Sequence, residues 1–183
     1  LPELIKNHLG SGKKWGVRIH YSYEPVLLGT SGSLNNFVKD LDETFIVLYG
    51  DVFTIINLDN FVKFHKIKKS QATLLVHETD HPEDSDLVAL DKKKKILKFY
   101  ISPHKEKVIN ADLSSAAIYI FEPDVLNFIP EKIPSDFVRD MFPSLLKKGF
   151  KMYGYLSSEY TKDMGTPKRY EKVQKDFERL NLT

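Results

Sequence analysis

Apolar and polar positions follow two different rhythms along the chain. Residues 58–69 place Leu58, Phe61, Val62, Phe64 and Ile67 at helical spacing and end in basic side chains, which suit a helix C-terminus. Residues 17–23 alternate apolar and polar, which predicts a half-buried strand. Residues 44–49 are a continuous apolar, β-prone run that predicts a strand covered on both faces, and residues 72–76 predict another buried strand. Pro2–Leu9 reads as a short helix with Pro in its first turn and Gly10 just past its end. A glycine-bearing loop at 29–32 leads into a helix over about 31–41. Strand, helix, strand, helix, strand is the order of a parallel sheet with right-handed crossovers.

Beyond residue 77 the rhythm changes. Residues 86–90, 96–101 and 116–121 predict strands separated by polar turns, with Asp91 and Lys92 to Lys95 forming a solvated hairpin turn. Helices follow near Pro123–Phe128 and over 136–148, then a short strand over 151–156 and a last helix from Pro167 to about Leu180. There is no internal repeat and no low-complexity linker. The economical reading is one α/β domain over residues 1–183 with a mixed, mainly parallel sheet flanked by helices.

Composition narrows the function. With 27 Lys+Arg against 25 Asp+Glu, the net charge of +2 is too even for general nucleic-acid affinity. No apolar run approaches the ~20 residues that span a bilayer, so neither a nucleic acid nor a membrane is expected as partner. The chain has no cysteine, which excludes disulfides and thiolate metal sites and fits a reducing, cytoplasmic setting. It opens at Leu1 without Met and without the basic and apolar regions of a signal peptide, which suggests that Leu1 is not the natural start.

Three stretches could carry chemistry. Gly50-Asp51 ends the strand at 44–49, and ligands of open α/β sheets bind beyond such strand ends. A carboxylate there can hold Mg²⁺ together with waters and substrate phosphates, or it can be a turn or capping residue. The loop from Glu24 to Gly29-Thr30-Ser31-Gly32 joins a strand to a helix, where glycines admit a ligand to the backbone or simply make a tight turn. The stretch Lys162-Asp163-Met164-Gly165-Thr166-Pro167 stands just before the last helix. Capping explains Thr166 and Pro167 but leaves the carboxylate of Asp163 and the adjacent Lys162, a combination that suits a metal–phosphate site. No His pair has metal-ligand spacing, and no Gly-x-Ser-x-Gly elbow occurs.

Taken together and in this order, Gly29-Thr30-Ser31-Gly32-Ser33-Leu34, Leu48-Tyr49-Gly50-Asp51 and Asp163-Met164-Gly165-Thr166-Pro167 resemble the motifs of the sugar-1-phosphate nucleotidyltransferases. The resemblance spans essentially the whole chain. Asp84-Ser85-Asp86-Leu87-Val88 makes it most similar to the mannose- and heptose-1-phosphate guanylyltransferase type. It implies a Rossmann-like, GT-A-type fold and Mg²⁺-dependent transfer of a nucleoside monophosphate to a sugar 1-phosphate, with GTP favoured and pyrophosphate released. By the match, Asp51 and Asp163 would hold Mg²⁺ and Lys162 would stabilise phosphate charge. Glu24, Gly29, Thr30, Gly32 and Gly50 would line the nucleotide site, and Ser115, Ala117, Gly165 and Thr166 the sugar-phosphate site. A homo-oligomer, and a phosphatase domain in the same natural chain, are compatible with the resemblance.

The sequence also departs from the pattern. The family's N-terminal glycine-rich segment is not present, so the first strand, loop and helix region of the fold is expected to be missing. Where the family has Glu-Lys-Pro, this chain has Ile101-Ser102-Pro103, and its Asn-Ala-Gly-Ile-Tyr strand reads Ser115-Ala116-Ala117-Ile118-Tyr119. His104 or Lys105 could replace the lost cation. These departures motivate a second reading, a catalytically inactive relative that binds a nucleotide-sugar or regulates.

Overall fold

Eight strands and four helices make up the computed structural model, which describes residues 2–79, 81–109, 111–131 and 133–179. The strands are β1 (Phe45–Leu48), β2 (Val52–Thr54), β3 (Ala72–Glu78), β4 (Leu87–Leu90), β5 (Ile96–Tyr100), β6 (Leu113–Phe121), β7 (Met152–Leu156) and β8 (Thr161–Asp163). The helices are α1 (Pro2–Leu9), α2 (Leu58–Lys68), α3 (Phe142–Lys147) and α4 (Pro167–Arg179). Six strands form one mixed sheet in the order β5-β4-β6-β3-β7, with β1 also on β6, while β2 and β8 form a separate ribbon.

The long strand β6 organises the sheet. One edge pairs with β3 along its length, from Ala72↔Phe121 to Glu78↔Leu113. The other edge is shared: β1 takes the C-terminal half, Phe45↔Phe121 to Leu48↔Ile118, and β4 takes the start, Leu87↔Ser114 and Val88↔Leu113. Between them, Ala117 sits at φ 57, a left-handed conformation unusual for a residue with a Cβ. The register against β3 shifts there, between Leu74 and Val76. The sheet is mixed as expected, but the parallel share of its ladders is small. Because β6 lies between β1 and β3, those strands run the same way without touching, and β3–β7 is the parallel ladder among the described strands.

Side-chain alternation gives the sheet two buried faces. Leu75, Ile118 and Ile120 meet Phe61 of α2 on one face. On the other, Leu74, Val76, Tyr119 and Phe121 meet Phe137, Met141, Phe142 and Leu145. Phe121 stacks on Phe137 at 5.6 Å, and Tyr119 meets Phe142 edge-on at 5.0 Å. Each such ring contributes about 1.5–3 kcal/mol by leaving water. Helix α2 begins at Asn57, whose side chain accepts the Asn60 N–H, and ends at Lys69 at φ 47. Its His65 is buried, with Nδ1 2.7 Å from the Thr73 hydroxyl and Nε2 2.9 Å from Glu122 Oε1.

Three expectations need correction. Residues 17–23 form no strand: Val17, Tyr21 and Tyr23 are exposed, and Ile19 N–H bonds back to Ser11 O at 3.0 Å. Alternation alone cannot make a strand where no neighbour supplies ladder partners. Strand β1 is not covered on both faces, since Ile46 and Leu48 are 38% and 56% exposed. The helix expected over 31–41 is a short 3₁₀ stretch, Gly32–Phe37, because its start is pinned to another segment, as described below. The final helix reaches Arg179; the predicted end at Leu180 lies outside the described residues.

Candidate active site

Two of the predicted carboxylates are brought together by backbone geometry. The ribbon pairs Val52 with Asp163, and Met164 N–H donates to Asp51 O at 2.7 Å, so the turn after β1 lies against the turn after β8. Gly165 separates the two acids. A Cβ at Gly165 would lie 3.0 Å from Asp51 Oδ2 and 3.5 Å from Asp163 Oδ1. Both carboxylates therefore converge on a spot that a side chain would fill. Asp163 Oδ1 also accepts the Gly165 N–H at 2.9 Å and the Arg169 guanidinium at 2.9 Å. Thr166 caps α4, its hydroxyl accepting the Arg169 N–H at 3.3 Å.

Two exposed carboxylates are a hard-oxygen donor set of the kind that holds Mg²⁺ by one or two protein ligands plus substrate phosphates. Among the described residues no group of three or more His, Cys, Asp or Glu forms an all-protein cage. Asp51 and Asp163 thus fit Mg²⁺ as the protein's share of such a ligand set.

Lys162 is not at this spot. It pairs with Phe53 in the ribbon, one position from Asp163, so alternation directs it to the opposite face. There it lines a separate cleft of about 380 Å³ with His77, Glu78, Glu159 and Tyr160. The cation beside Asp163 is Arg169, three residues into the last helix. Sequence reading missed it because an Arg in a helix's first turn carries no signal of its own.

Close to this pair lies an open cleft of about 490 Å³ lined by Tyr49, Asp86, Ser115, Ala117, Asp136 and Arg139, among others. Two of the predicted sugar-side residues, Ser115 and Ala117, meet here. Ser115 Oγ bonds Tyr119 Oη at 3.2 Å and accepts the Ala117 N–H at 3.3 Å. The positive φ of Ala117 places residue 117 at the break between β1 and β4. Gly50 and Asp51 directly follow Tyr49, which links the cleft to the carboxylate pair. Burial first, and then the charges of Asp136 and Asp51, push the Tyr49 hydroxyl up to about 12, with the neighbouring Thr30 acting the other way.

The glycine loop is held in a manner its sequence did not reveal. Gly29 has φ 82, and a Cβ on it would sit 2.2 Å from Ser135 O. Ser135 N–H donates to Leu28 O at 2.9 Å, and Ser31 N–H donates to Ser135 O at 3.1 Å. Gly32 packs near Ser135 Oγ as well. Thr30 Oγ1 donates to Asp136 Oδ2 at 2.7 Å and accepts the Phe137 N–H at 3.1 Å. Glu24 folds back on the same loop, with Leu28 N–H 3.4 Å from its Oε2. What these contacts explain is docking of the loop on residues 135–137. A Cβ on Gly50 would meet nothing within 4 Å.

Asp136 is the hub of this docking. Its Oδ1 accepts the N–H groups of Val138 and Arg139 at 2.8 and 3.0 Å, capping the five-residue π-helical turn Phe137–Met141. The sequence marked residue 136 as a helix start but not as a cleft residue. Of the expected substitute cations, His104 Nε2 lies 2.9 Å from Ser85 O, and Lys105 lines another cleft, of about 430 Å³, with Tyr100 and Ser102. The cation in the main cleft is Arg139. No helix among the described residues is long and apolar enough to cross a membrane.

Comparison with known proteins identifies the fold and the family. The family model described as nucleotidyl transferase matches residues 1–179. The chain is 30% identical over 180 residues to a mannose-1-phosphate guanylyltransferase of Mycobacterium tuberculosis, covering 97% of this chain and 49% of that protein. It is 32% identical over 167 residues to a UTP–glucose-1-phosphate uridylyltransferase of Synechocystis, covering 84% of this chain and 43% of that one. The chain thus spans about half the length of the curated relatives it matches. Among solved structures, a putative glucose-1-phosphate thymidylyltransferase from Bacillus anthracis superposes with a TM-score of 0.82 at 20% identity, over 99% of this chain and 74% of that one. HddC from Yersinia pseudotuberculosis superposes with a TM-score of 0.74 at 18% identity, over 96% of this chain and 74% of that one, so the fold is shared. With its motifs, its fold and a family match across residues 1–179, this chain belongs to the nucleotidyl transferase family.

Proposed function

We propose that this chain carries the sugar-1-phosphate nucleotidyltransferase activity of its family. A nucleoside monophosphate passes from a nucleoside triphosphate to a sugar 1-phosphate, giving a nucleoside diphosphate-sugar and pyrophosphate. The observation that carries this reading is the convergence of Asp51 and Asp163 on Gly165 beside the cleft. GTP and a mannose- or heptose-like sugar are favoured because relatives named as mannose-1-phosphate guanylyltransferases match nearly the whole chain. A relative named for UTP and glucose 1-phosphate makes the base and the sugar matters for direct assay.

The mechanism needs positioning and charge neutralisation, with no covalent enzyme intermediate. The sugar-1-phosphate oxygen attacks the α-phosphorus in line, and the bond to the pyrophosphate oxygen breaks. Asp51 and Asp163 would hold Mg²⁺, which when bound neutralises the phosphate charges and draws the two substrates together. Arg169 fixes the Asp163 carboxylate from one side. The main cleft, floored by Ser115 and Ala117, would receive the sugar. Thr30, tied to Asp136, would hold the nucleotide-side loop at the cleft's rim. Cytoplasmic activity belongs to the same proposal.

The test is pyrophosphate release from a panel of nucleoside triphosphates and sugar 1-phosphates with Mg²⁺. It should be run on this chain and on any longer natural protein that carries it. Asp51→Asn and Asp163→Asn are each expected to lower turnover by on the order of 100-fold or more. Near-normal Mg²⁺-dependent turnover in either variant would remove the proposed metal roles. Binding of a nucleotide-sugar without any turnover would instead establish the inactive relative.

A further inference from the structure

We infer that Asp86 and Arg139 form a hydroxyl-reading subsite at the end of the main cleft and set which sugar 1-phosphate is accepted, an assignment that rests on the transferase reading above. The two residues come from distant parts of the chain and meet only in the fold. Asp86 lies at the entry to β4, and Arg139 lies in the turn that Asp136 caps. Arg139 Nε lies 3.6 Å from Asp86 Oδ2, and the Asp86 side chain is 23% exposed against 59% for Arg139.

Geometry separates this pair from an ordinary surface salt bridge. Asp86 Oδ1 is fixed by the Ser102 N–H at 2.7 Å, and Asp86 O accepts the Ser114 hydroxyl at 3.0 Å. One carboxylate oxygen and the backbone carbonyl of Asp86 are therefore held before any ligand arrives. Arg139 is held at its backbone by Asp136 Oδ1. Yet the contact between the charges, at 3.6 Å, exceeds hydrogen-bond length, so each retains bonding capacity toward the cleft. Preorganised groups that remain unsatisfied by one another are what a ligand can use without first breaking a strong pair.

The chemistry of the ligand follows from the signs of the charges. Asp86 and Asp136 both line this cleft, and Arg139 is the cation beside them. Two carboxylates against one guanidinium repel a phosphate, which places the phosphate of a sugar 1-phosphate at the other end, toward Asp51 and Asp163, which would hold Mg²⁺. Neighbouring sugar hydroxyls suit the pair: one donates to the carboxylate and accepts from the guanidinium, which has donors only. The same pair also answers a local loss. Residues 101–103 offer neither carboxylate nor cation in the cleft, and it is Ser102 of that segment that holds Asp86.

The experiment uses Asp86→Asn, which keeps an oxygen for the Ser102 N–H while removing the charge, and Arg139→Met, which keeps the apolar stem and removes the donors. Steady-state constants are measured in whichever form of the protein turns over, for mannose 1-phosphate, glucose 1-phosphate and their monodeoxy analogues at saturating nucleotide, with melting temperatures alongside. Each variant is expected to lose on the order of 10–100-fold in kcat/KM for the preferred sugar. That loss should vanish for the one deoxy analogue lacking the hydroxyl being read, with nucleotide KM and melting temperature unchanged. An equal loss on every sugar and analogue would mean a structural or phosphate-anchoring role and would overturn the inference. So would variants that keep the sugar selectivity of an active wild type, and in that case the transferase reading would survive alone. A wild-type protein inactive on every pair would sink both.

Discussion

Substituting Gly29 with Ala tests how the glycine loop is docked. At φ 82 an L side chain adds strain of about 1–2 kcal/mol. The new Cβ would also sit 2.2 Å from Ser135 O, 2.7 Å from its N and 2.9 Å from its C. These are backbone atoms and cannot rotate away, so one segment has to retreat from the other. Retreat breaks Ser31 N–H to Ser135 O and Ser135 N–H to Leu28 O, which contribute about 1 kcal/mol each. The sum is about 3–4 kcal/mol, a large part of the 5–15 kcal/mol typical of a folded domain. For a chain of this size that corresponds to a fall in Tm of about 6–16 °C. Gly165→Ala is the natural comparator in the same calorimetric assay. Its Cβ meets the far end of the Asp51 side chain at 3.0 Å, which can swing aside, so stability should change by less than about 1 kcal/mol while turnover falls. A Tm for Gly29→Ala within about 2 °C of wild type would refute the docking described for residues 28–31 and 135.

Two more outcomes concern titratable and buried groups. His65→Ala should cost about 2–4 kcal/mol in urea unfolding, because it opens a cavity and strips the buried Thr73 hydroxyl and Glu122 of a partner; a loss under about 0.5 kcal/mol would contradict that network. Burial raises the hydroxyls of Tyr49 and Tyr160 to about 12, with the neighbouring Asp176 also raising Tyr160, and it raises that of Tyr119 as well. Since the folded form holds these protons more tightly than the unfolded form, their contribution is fully present below about pH 10 and is lost as pH rises toward 12. Denaturation midpoints should therefore fall across that window, with phenolate absorbance rising in step; a flat profile would exclude it.

The sequence made the long-range plan readable where a single element carried a clear period. Helix α2 and strands β3, β5 and β7 lie close to where apolar spacing put them, because each buries a face that its own residues define. Residues 17–23 show the limit. Their alternation is as regular as a strand's, but strand formation depends on a neighbour whose position no local pattern encodes. The site divides in the same way. Asp51 and Asp163 stand in contiguous motifs, and the ribbon that joins them needs only a short antiparallel register. The counterpart to Asp86 could not be read, because Arg139 lies 53 residues away in a turn whose π-helical form follows from capping by Asp136 and from the packing of Phe137 and Met141. Lys162 stands apart from the carboxylate pair for a simpler reason, since adjacency to Asp163 in sequence means opposition across a strand.

The sharing of one β6 edge by two strands has a consequence for how such a domain can diversify. Strands β1 and β4 leave an interval between them at residues 115–117, so the cleft occupies the place of a missing stretch of ladder. Its width is set by where two flanking strands stop, while the aromatic cluster around Tyr119, Phe121, Phe137 and Phe142 rests on the stretch of β3–β6 pairing from Ala72↔Phe121 to Leu74↔Tyr119. Lengthening or shortening either strand by one residue resizes the slot without reopening the core. On the transferase reading proposed above, substrate range and folding stability fall to different edges of a single strand.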